Sequence, residues 1–195
     1  MRAGAAVAVF LVVALASVGC GDSSGENLSE SELAKLVVQP SDVPRLSRFQ
    51  NEREIMSQQS PVLGRDPHRF GRQNGWVARY RRPRGSNGPL ILASGVDMFA
   101  KGSGASDFFG KVTKLNEANA AGSGMKSADG DDLGDERQVL ATSSGRPGSV
   151  RFVLVVWRTG RFVGSISASG YSGRISSDDV VALAKRANRR LAAAD

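Results

Sequence analysis

The sequence predicts an α+β domain: one antiparallel sheet with helices packed on one face, arranged as two hairpin-then-helix halves. Three observations carry that expectation. Residues 76–99 hold two β-prone runs parted by turn-forming residues at 83–89, which is a hairpin signal. A second pair of such runs, 149–158 and 161–169, is joined across Thr159-Gly160. Each hairpin is followed by apolar residues three or four apart, the period of a helix.

Taken in chain order, residues 29–38 (SESELAKLVV) predict a helix. Ser29 and Glu32 have the spacing of a capping box, and Leu33, Leu36 and Val37 share a face. Pro40 and Pro44 end it, because proline lacks the amide hydrogen a helix requires. Residues 45–75 are rich in arginine, glycine and proline and predict mainly loop, with a short helical turn near 52–58. Trp76, Ala78 and Tyr80 alternate with Val77, Arg79 and Arg81, the pattern of a half-buried strand, and residues 90–99 supply its partner. Ala105, Phe108, Phe109, Val112 and Leu115 then follow helical spacing, with Ser103 or Ser106 as cap and a loop over 116–132. Residues 138–142 read as a short strand before the second hairpin. Ser177 is expected to cap a last helix with Val180, Val181, Leu183, Ala184, Ala187 and Leu191 inward. Lys185, Arg186, Arg189 and Arg190 lie towards its end, where positive charge suits the helix dipole.

The chain has 195 residues, a formal charge of +7, 23 glycines, one cysteine and one histidine. A single thiol excludes an internal disulfide and a cysteine-based metal site. The N-terminus explains that thiol. Arg2 gives a positive start, Ala3–Ala16 is an apolar run of 14 residues, and Ser17-Val18-Gly19 places small residues ahead of Cys20. This arrangement resembles the lipobox of bacterial lipoproteins, with Ser17 where leucine is usual. The resemblance implies cleavage before Cys20, a diacylglycerol on its sulfur and fatty acyl chains of the palmitate kind. Residues 1–19 are then a signal peptide, residues 20–28 the lipidated cysteine and a Gly/Ser-rich flexible tether, and residues 29–195 a single extracytoplasmic domain. Two or more acyl chains anchor a protein effectively for good. An uncleaved anchor or an ordinary cleaved leader are the alternatives, and both also put residues 21–195 outside the cytoplasm. The leader contains only one charged side chain, Arg2, so its removal leaves 7 − 1 = +6.

No motif carries catalysis. The acidic run from Asp129 to Glu136 matches a calcium loop at Asp129, Asp131 and Gly134, but Leu133 and Leu140 fill two ligand positions. A solvated turn is the plainer reading. His68 has no second histidine or cysteine to complete a metal site or a nucleophilic pair. No nucleophile elbow surrounds Ser165, Ser167 or Ser169, and the glycine-rich stretches at 102–104 and 122–124 fit neither phosphate-binding fingerprint. No cofactor or metal is expected. Residues 45–84 hold ten arginines against Glu52, Glu54 and Asp66. Of these, Arg65, Arg69, Arg72, Arg79, Arg81, Arg82 and Arg84 are the candidate anion-binding set, since guanidinium groups fork onto phosphate and carboxylate oxygens. Phe49, Phe70, Trp76 and Tyr80 are interleaved with them, yet nucleic acid is not expected outside the cell. A solvated strand face is the plainer reading here too. Trp76 and Trp157 sit on predicted strands, where large aromatics serve mainly as core.

Several short motifs connect the body with known proteins. Pro40-Ser41-Asp42-Val43-Pro44, Gly75-Trp76, Phe108-Phe109, Leu133-Gly134-Asp135-Glu136, Val156-Trp157-Arg158-Thr159-Gly160 and the final Arg/Ala helix resemble poorly characterised lipoproteins of actinobacteria. They also resemble the external sensor domains of certain mycobacterial serine/threonine kinases, whose paired disulfides this chain lacks. The resemblance implies an envelope protein and transfers no functional residue.

The expectation is therefore a non-enzymatic lipoprotein at the extracytoplasmic face of the cell membrane. Its partner would be an anionic envelope polymer, an amphiphilic small molecule or an envelope protein. The competing expectations are a hydrolase drawing on Asp131, Asp132, Asp135 or Glu136, and a structural component of an envelope complex. Cys20→Ala should abolish incorporation of labelled palmitate and leave an unlipidated precursor; undiminished labelling of that variant would refute the anchor.

Overall fold

A computed structural model describes residues 27–54, 67–84, 87–130, 132–143 and 148–195. Its centre is a seven-stranded sheet in which every neighbouring pair is antiparallel. The strands are β1 (Ser47–Arg53), β2 (Arg72–Arg81), β3 (Ile91–Phe99), β4 (Met125–Ser127), β5 (Glu136–Thr142), β6 (Val150–Thr159) and β7 (Phe162–Tyr171). Their order across the sheet is β1-β2-β3-β7-β6-β5-β4. The two predicted hairpins, β2–β3 and β6–β7, thus meet at the middle of the sheet.

Three helices complete the fold: α1 (Glu30–Leu36), α2 (Gly102–Ser123) and α3 (Ser177–Ala192). The expected capping box is present at α1, where the Glu32 amide donates to Ser29 Oγ and the Ser29 amide to Glu32 Oε2 at 2.8 Å. At α3 the cap is Ser176 rather than Ser177, because Ser176 is the serine that stands three residues before Asp179 and can exchange hydrogen bonds with it. Helix α2 starts at Gly102, ahead of both serines expected to cap it.

The α+β class and the antiparallel sheet are as expected, while the helices divide between the two faces. Consecutive strand residues point to opposite sides of a sheet. On β6, Val153, Val155 and Trp157 join the main core with Leu33, Leu36, Val180, Ala184 and Leu191, so α1 and α3 cover that face together. Val156 and Leu154 point the other way and meet Phe99, Phe108, Phe109 and Val163, which puts α2 on the second face. A strand that is apolar on both sides has to be covered on both, which is why the helices do not gather on one.

Two other differences come from the sheet edges. Residues 47–53, expected as loop and the start of a helical turn, form β1; residues 55–58 of that turn lie outside the described residues. The strand is polar and mostly exposed on both sides, so it carries no period-two signal, and only backbone pairing with β2 defines it. The expected loop 116–132 instead continues α2 to Ser123, ends it at Gly124 with φ +68°, and forms the short strand β4.

Polar groups lock the helical layer to the sheet. The extended segment after α1 is held where the Val38 amide donates to Ser94 Oγ at 3.1 Å and Tyr80 Oη donates to the Val38 carbonyl at 2.6 Å. Arg190 of α3 donates to the Val37 carbonyl at 3.0 Å and to Asp42 Oδ2 at 2.9 Å. At the centre, Trp157 stands opposite Gly164 across the β6–β7 pair, and a Cβ there would fall 2.3 Å from the indole. Gly164→Ala should destabilise the domain by about 1–3 kcal/mol, the usual cost of overpacking a filled core. Urea unfolding checks this; an unchanged midpoint would show that the indole can move aside.

Candidate functional site

The arginines expected to bind anions do not form one patch. Arg65 lies outside the described residues. Arg69 is exposed on a short 3-10 turn (Pro67–Phe70), and Arg84 is exposed beyond the end of β2. Arg79 donates to Gln50 Oε1, and Arg82 donates to the Gly88 carbonyl at 3.3 Å. Arg81 is exposed at the end of β2, with its guanidinium 5.9 Å from the Phe49 ring centroid.

Arg72 is buried. Its Nε donates to Asp97 Oδ1 at 2.6 Å, and Nη2 donates to the Glu54 carbonyl at 3.2 Å. Gly75, opposite Asp97 in the β2–β3 register, leaves the room for this pair: a Cβ there would stand 2.1 Å from Arg72 Nη2. Burial pushes the Asp97 carboxyl above the usual aspartate range, against the pull of the Arg72 charge. Burial also raises the Glu54 carboxyl, and the neighbouring charge of Asp97 raises it further. One guanidinium is thus shared near two carboxylates that resist ionisation. Glycine inside a predicted strand was the available sign of a close approach, though nothing in the sequence named Asp97 as the partner.

Two of the four carboxylates considered for hydrolysis, Asp135 and Glu136, are engaged. Asp131 lies outside the described residues, and Asp132 is exposed in a turn with φ +59°. Asp135 pairs with Arg158 Nη1 at 2.9 Å and accepts from the Gly160 amide at 2.9 Å. Glu136 pairs with Arg158 Nε at 2.5 Å and accepts from Ser106 Oγ at 2.7 Å. Arg158 therefore fastens the start of β5 to the β6–β7 turn, and Ser106 ties α2 to the same point. Among the described residues no three His, Cys, Asp or Glu side chains are grouped to hold a metal ion. His68 Nδ1 lies 3.0 Å from the Arg72 carbonyl.

Among the described residues the clefts include one of about 290 Å³ between residues 129–130 and Asp178, Val181, Ala182 and Lys185 of α3, and two others. A polar one of about 370 Å³ lies between α2 and β5, and Gln138 within it bonds to Asn116 Nδ2 and the Thr113 carbonyl at 3.0 and 3.1 Å. An apolar groove of about 250 Å³ lies between residues 43–46, residues 87–89 and Leu183 of α3. The main sheet–helix interface is lined by apolar side chains, among them Val153, Val155, Trp157, Ala184 and Leu191.

The most distinctive surface is the part of the second sheet face that α2 leaves bare. Helix α2 reaches Phe99, Val156 and Val163. Beyond it, Arg81, Ile91, Ser169 and Phe152 stand side by side through the β2–β3, β3–β7 and β7–β6 registers, with Val150 and Tyr171 paired one step further on. A bulge in β1 between Arg48 and Gln50 lets Phe49 join the row beside Arg81. Arg82 lies 5.7 Å from the Tyr171 ring centroid. Phe49, Ile91, Val150, Phe152 and Tyr171 are 41–51% exposed, and they are all of the exposed large apolar side chains among the described residues. Scattered surface apolar residues are ordinary, whereas a set gathered on one stretch of sheet and rimmed by charge is a candidate interaction surface. Of these, Phe49 stands out in the sequence as an aromatic interleaved with arginines, while nothing there groups it with Ile91, Val150, Phe152 and Tyr171. Their sign was the unbroken apolar run of β6, which implies cover on both faces along its whole length, whereas α2 covers only part of it.

No protein-family model matches the chain. No curated protein matches it in sequence. Among solved structures, the fold is similar to that of the extracellular domain of PknH from Mycobacterium tuberculosis, with a TM-score of 0.50 and 12% identity over 84% of this chain and 98% of that one. At that identity the likeness is one of fold.

A pH test follows from the raised carboxyl of Glu54. A group that holds its proton more tightly when folded stabilises the fold at low pH, and that stability is lost as pH rises from its unfolded value through its folded one. Glu54→Gln should therefore match the parent in melting temperature below pH 4.5, the ordinary glutamate value. It should melt above the parent at pH 7. A variant that melts below the parent at pH 7 would mean that the carboxylate is stabilised in place.

Proposed function

We propose that this chain is a lipid-anchored, extracytoplasmic, non-enzymatic binding domain whose binding face is the bare part of the sheet. The observation that carries this reading is the collection of the exposed large apolar side chains on one stretch of sheet, rimmed by Arg81 and Arg82. Leaving such a surface in water forgoes roughly 25 cal/mol for every Å² that a partner would cover. The apolar leader and lone Cys20 support membrane attachment. No helix of the described residues is long and apolar enough to cross a membrane. The likeness in fold to the extracellular domain of PknH supports an external address. The engagement of Asp135 and Glu136 by Arg158 favours binding over hydrolysis.

Two single-cysteine reporters test this in intact bacteria. Ala182 is exposed on α3 and Ser167 is exposed on the bare face, so Ala182→Cys and Ser167→Cys place a thiol on opposite sides of the domain. With Cys20 blocked by lipid, a membrane-impermeant maleimide should label Ala182→Cys in whole cells. Ser167→Cys should react readily in purified protein and be protected in cells. Labelling of neither until lysis would overturn the external location, and equal labelling of both in cells would overturn the binding face.

A further inference from the structure

We infer that the bare part of the sheet docks on an anionic bilayer surface, the membrane to which Cys20 tethers the chain; this rests on the lipid-anchored reading proposed above. The surface is chemically suited to that occupant. Phe49, Ile91, Phe152 and Tyr171 supply apolar and aromatic groups of the kind that enter the headgroup–acyl boundary, and Arg81 and Arg82 supply charges for phosphate oxygens.

Charge complementarity points the same way. In the rows formed by Arg79, Arg81, Ile91, Ala93, Ser167, Ser169, Phe152 and Leu154 there is no carboxylate, and on the same face Glu52, opposite Val77, and Glu54, near Gly95, come only further along β1. Asp97 lies further along the strands, ion-paired with Arg72. The domain as a whole carries an excess of positive charge. Shape agrees as well. The row runs over five neighbouring strands, about 19 Å at ~4.8 Å per strand, on the open side of a sheet. A plane covers such a row more completely than a small molecule does.

The tether permits the contact. Cys20 and Ser29 are nine residues apart, so the connection spans at most about 30 Å at ~3.3 Å per residue. The chain enters α1 beside β1, where Glu30 Oε1 lies 3.5 Å from Arg53 Nη1. Phe49 is four residues back along that strand, roughly 13 Å at ~3.3 Å per residue. A lipid on Cys20 therefore keeps the domain within one tether length of the bilayer and can let the row of β1–β2–β3–β7–β6 lie against it.

The test uses the mature acylated protein reconstituted in vesicles, with an environment-sensitive fluorophore on Ser167→Cys or, as the opposite-side control, on Ala182→Cys. In vesicles containing phosphatidylglycerol, the Ser167 probe should shift to the blue and be quenched several-fold more strongly by brominated lipid than the Ala182 probe. In pure phosphatidylcholine the difference should shrink. It should also shrink as salt rises from about 0.01 M to about 1 M, over which the Debye length falls from about 30 Å to about 3 Å. Arg81→Glu combined with Arg82→Glu should reproduce the high-salt result. A Ser167 probe that stays in water on both lipids, while the protein remains with the vesicles, overturns the docking and leaves the anchor standing. Protein that fails to stay with vesicles at all overturns the anchor instead. A Ser167 probe shielded in native membranes but wet in pure lipid makes an envelope protein the occupant and also overturns the inference.

Discussion

The fold depends on the contact between the indole of Trp157 and the bare backbone of Gly164. Trp157 is the largest fully buried side chain, and it sits on β6 where the two hairpins and the helical layer converge. A side chain at 164 would lift the indole away from β7, and with it the surface on which α3 rests. The same strand is apolar on its other side through Val156, which sets the position of α2. One two-sided strand thus positions two of the three helices on opposite faces.

Much of the charge on the chain works as scaffold. Arg158 gathers Asp135 and Glu136, Arg190 gathers Asp42 and the Val37 carbonyl, and Arg72 gathers Asp97. Arg158 joins the start of β5 to the β6–β7 turn, Arg190 joins α3 to the segment after α1, and Arg72 joins β3 to the Glu54 carbonyl after β1. An arginine-rich stretch therefore does not translate directly into an anion-binding patch. Those left at the surface with a distinct environment, Arg81 and Arg82, lie beside the rings of Phe49 and Tyr171.

That pairing of aromatic and guanidinium groups gives the bare part of the sheet its character. Helix α2 lies over the far ends of β3, β6 and β7 and stops short of Ile91 and Phe152. Nothing in the described residues replaces it there. The domain consequently has one well-covered face, held by α1 and α3, and one face divided between core and exposed surface. The edges of the sheet are the mostly polar β1, with charged side chains along it, and the three-residue β4, features that disfavour pairing with another chain.

The sequence by itself determined the α+β class, both hairpins, the three helices and the capping box at Ser29, because these rest on contacts within a few residues or on the period of apolar side chains. Strand β1 and strand β4 were illegible: their residues carry no alternation, and pairing with a neighbour is what makes them strands. Only the tertiary structure decided that Arg72 would be buried against Asp97, 25 residues away, while Arg81 stayed in water. Only it decided that Phe49, Ile91, Phe152 and Tyr171, far apart in the chain, would share one surface. The physical reason is register. Which side chains stand next to each other across a sheet is set by strand order and pairing, and neither is a property of any local stretch of residues.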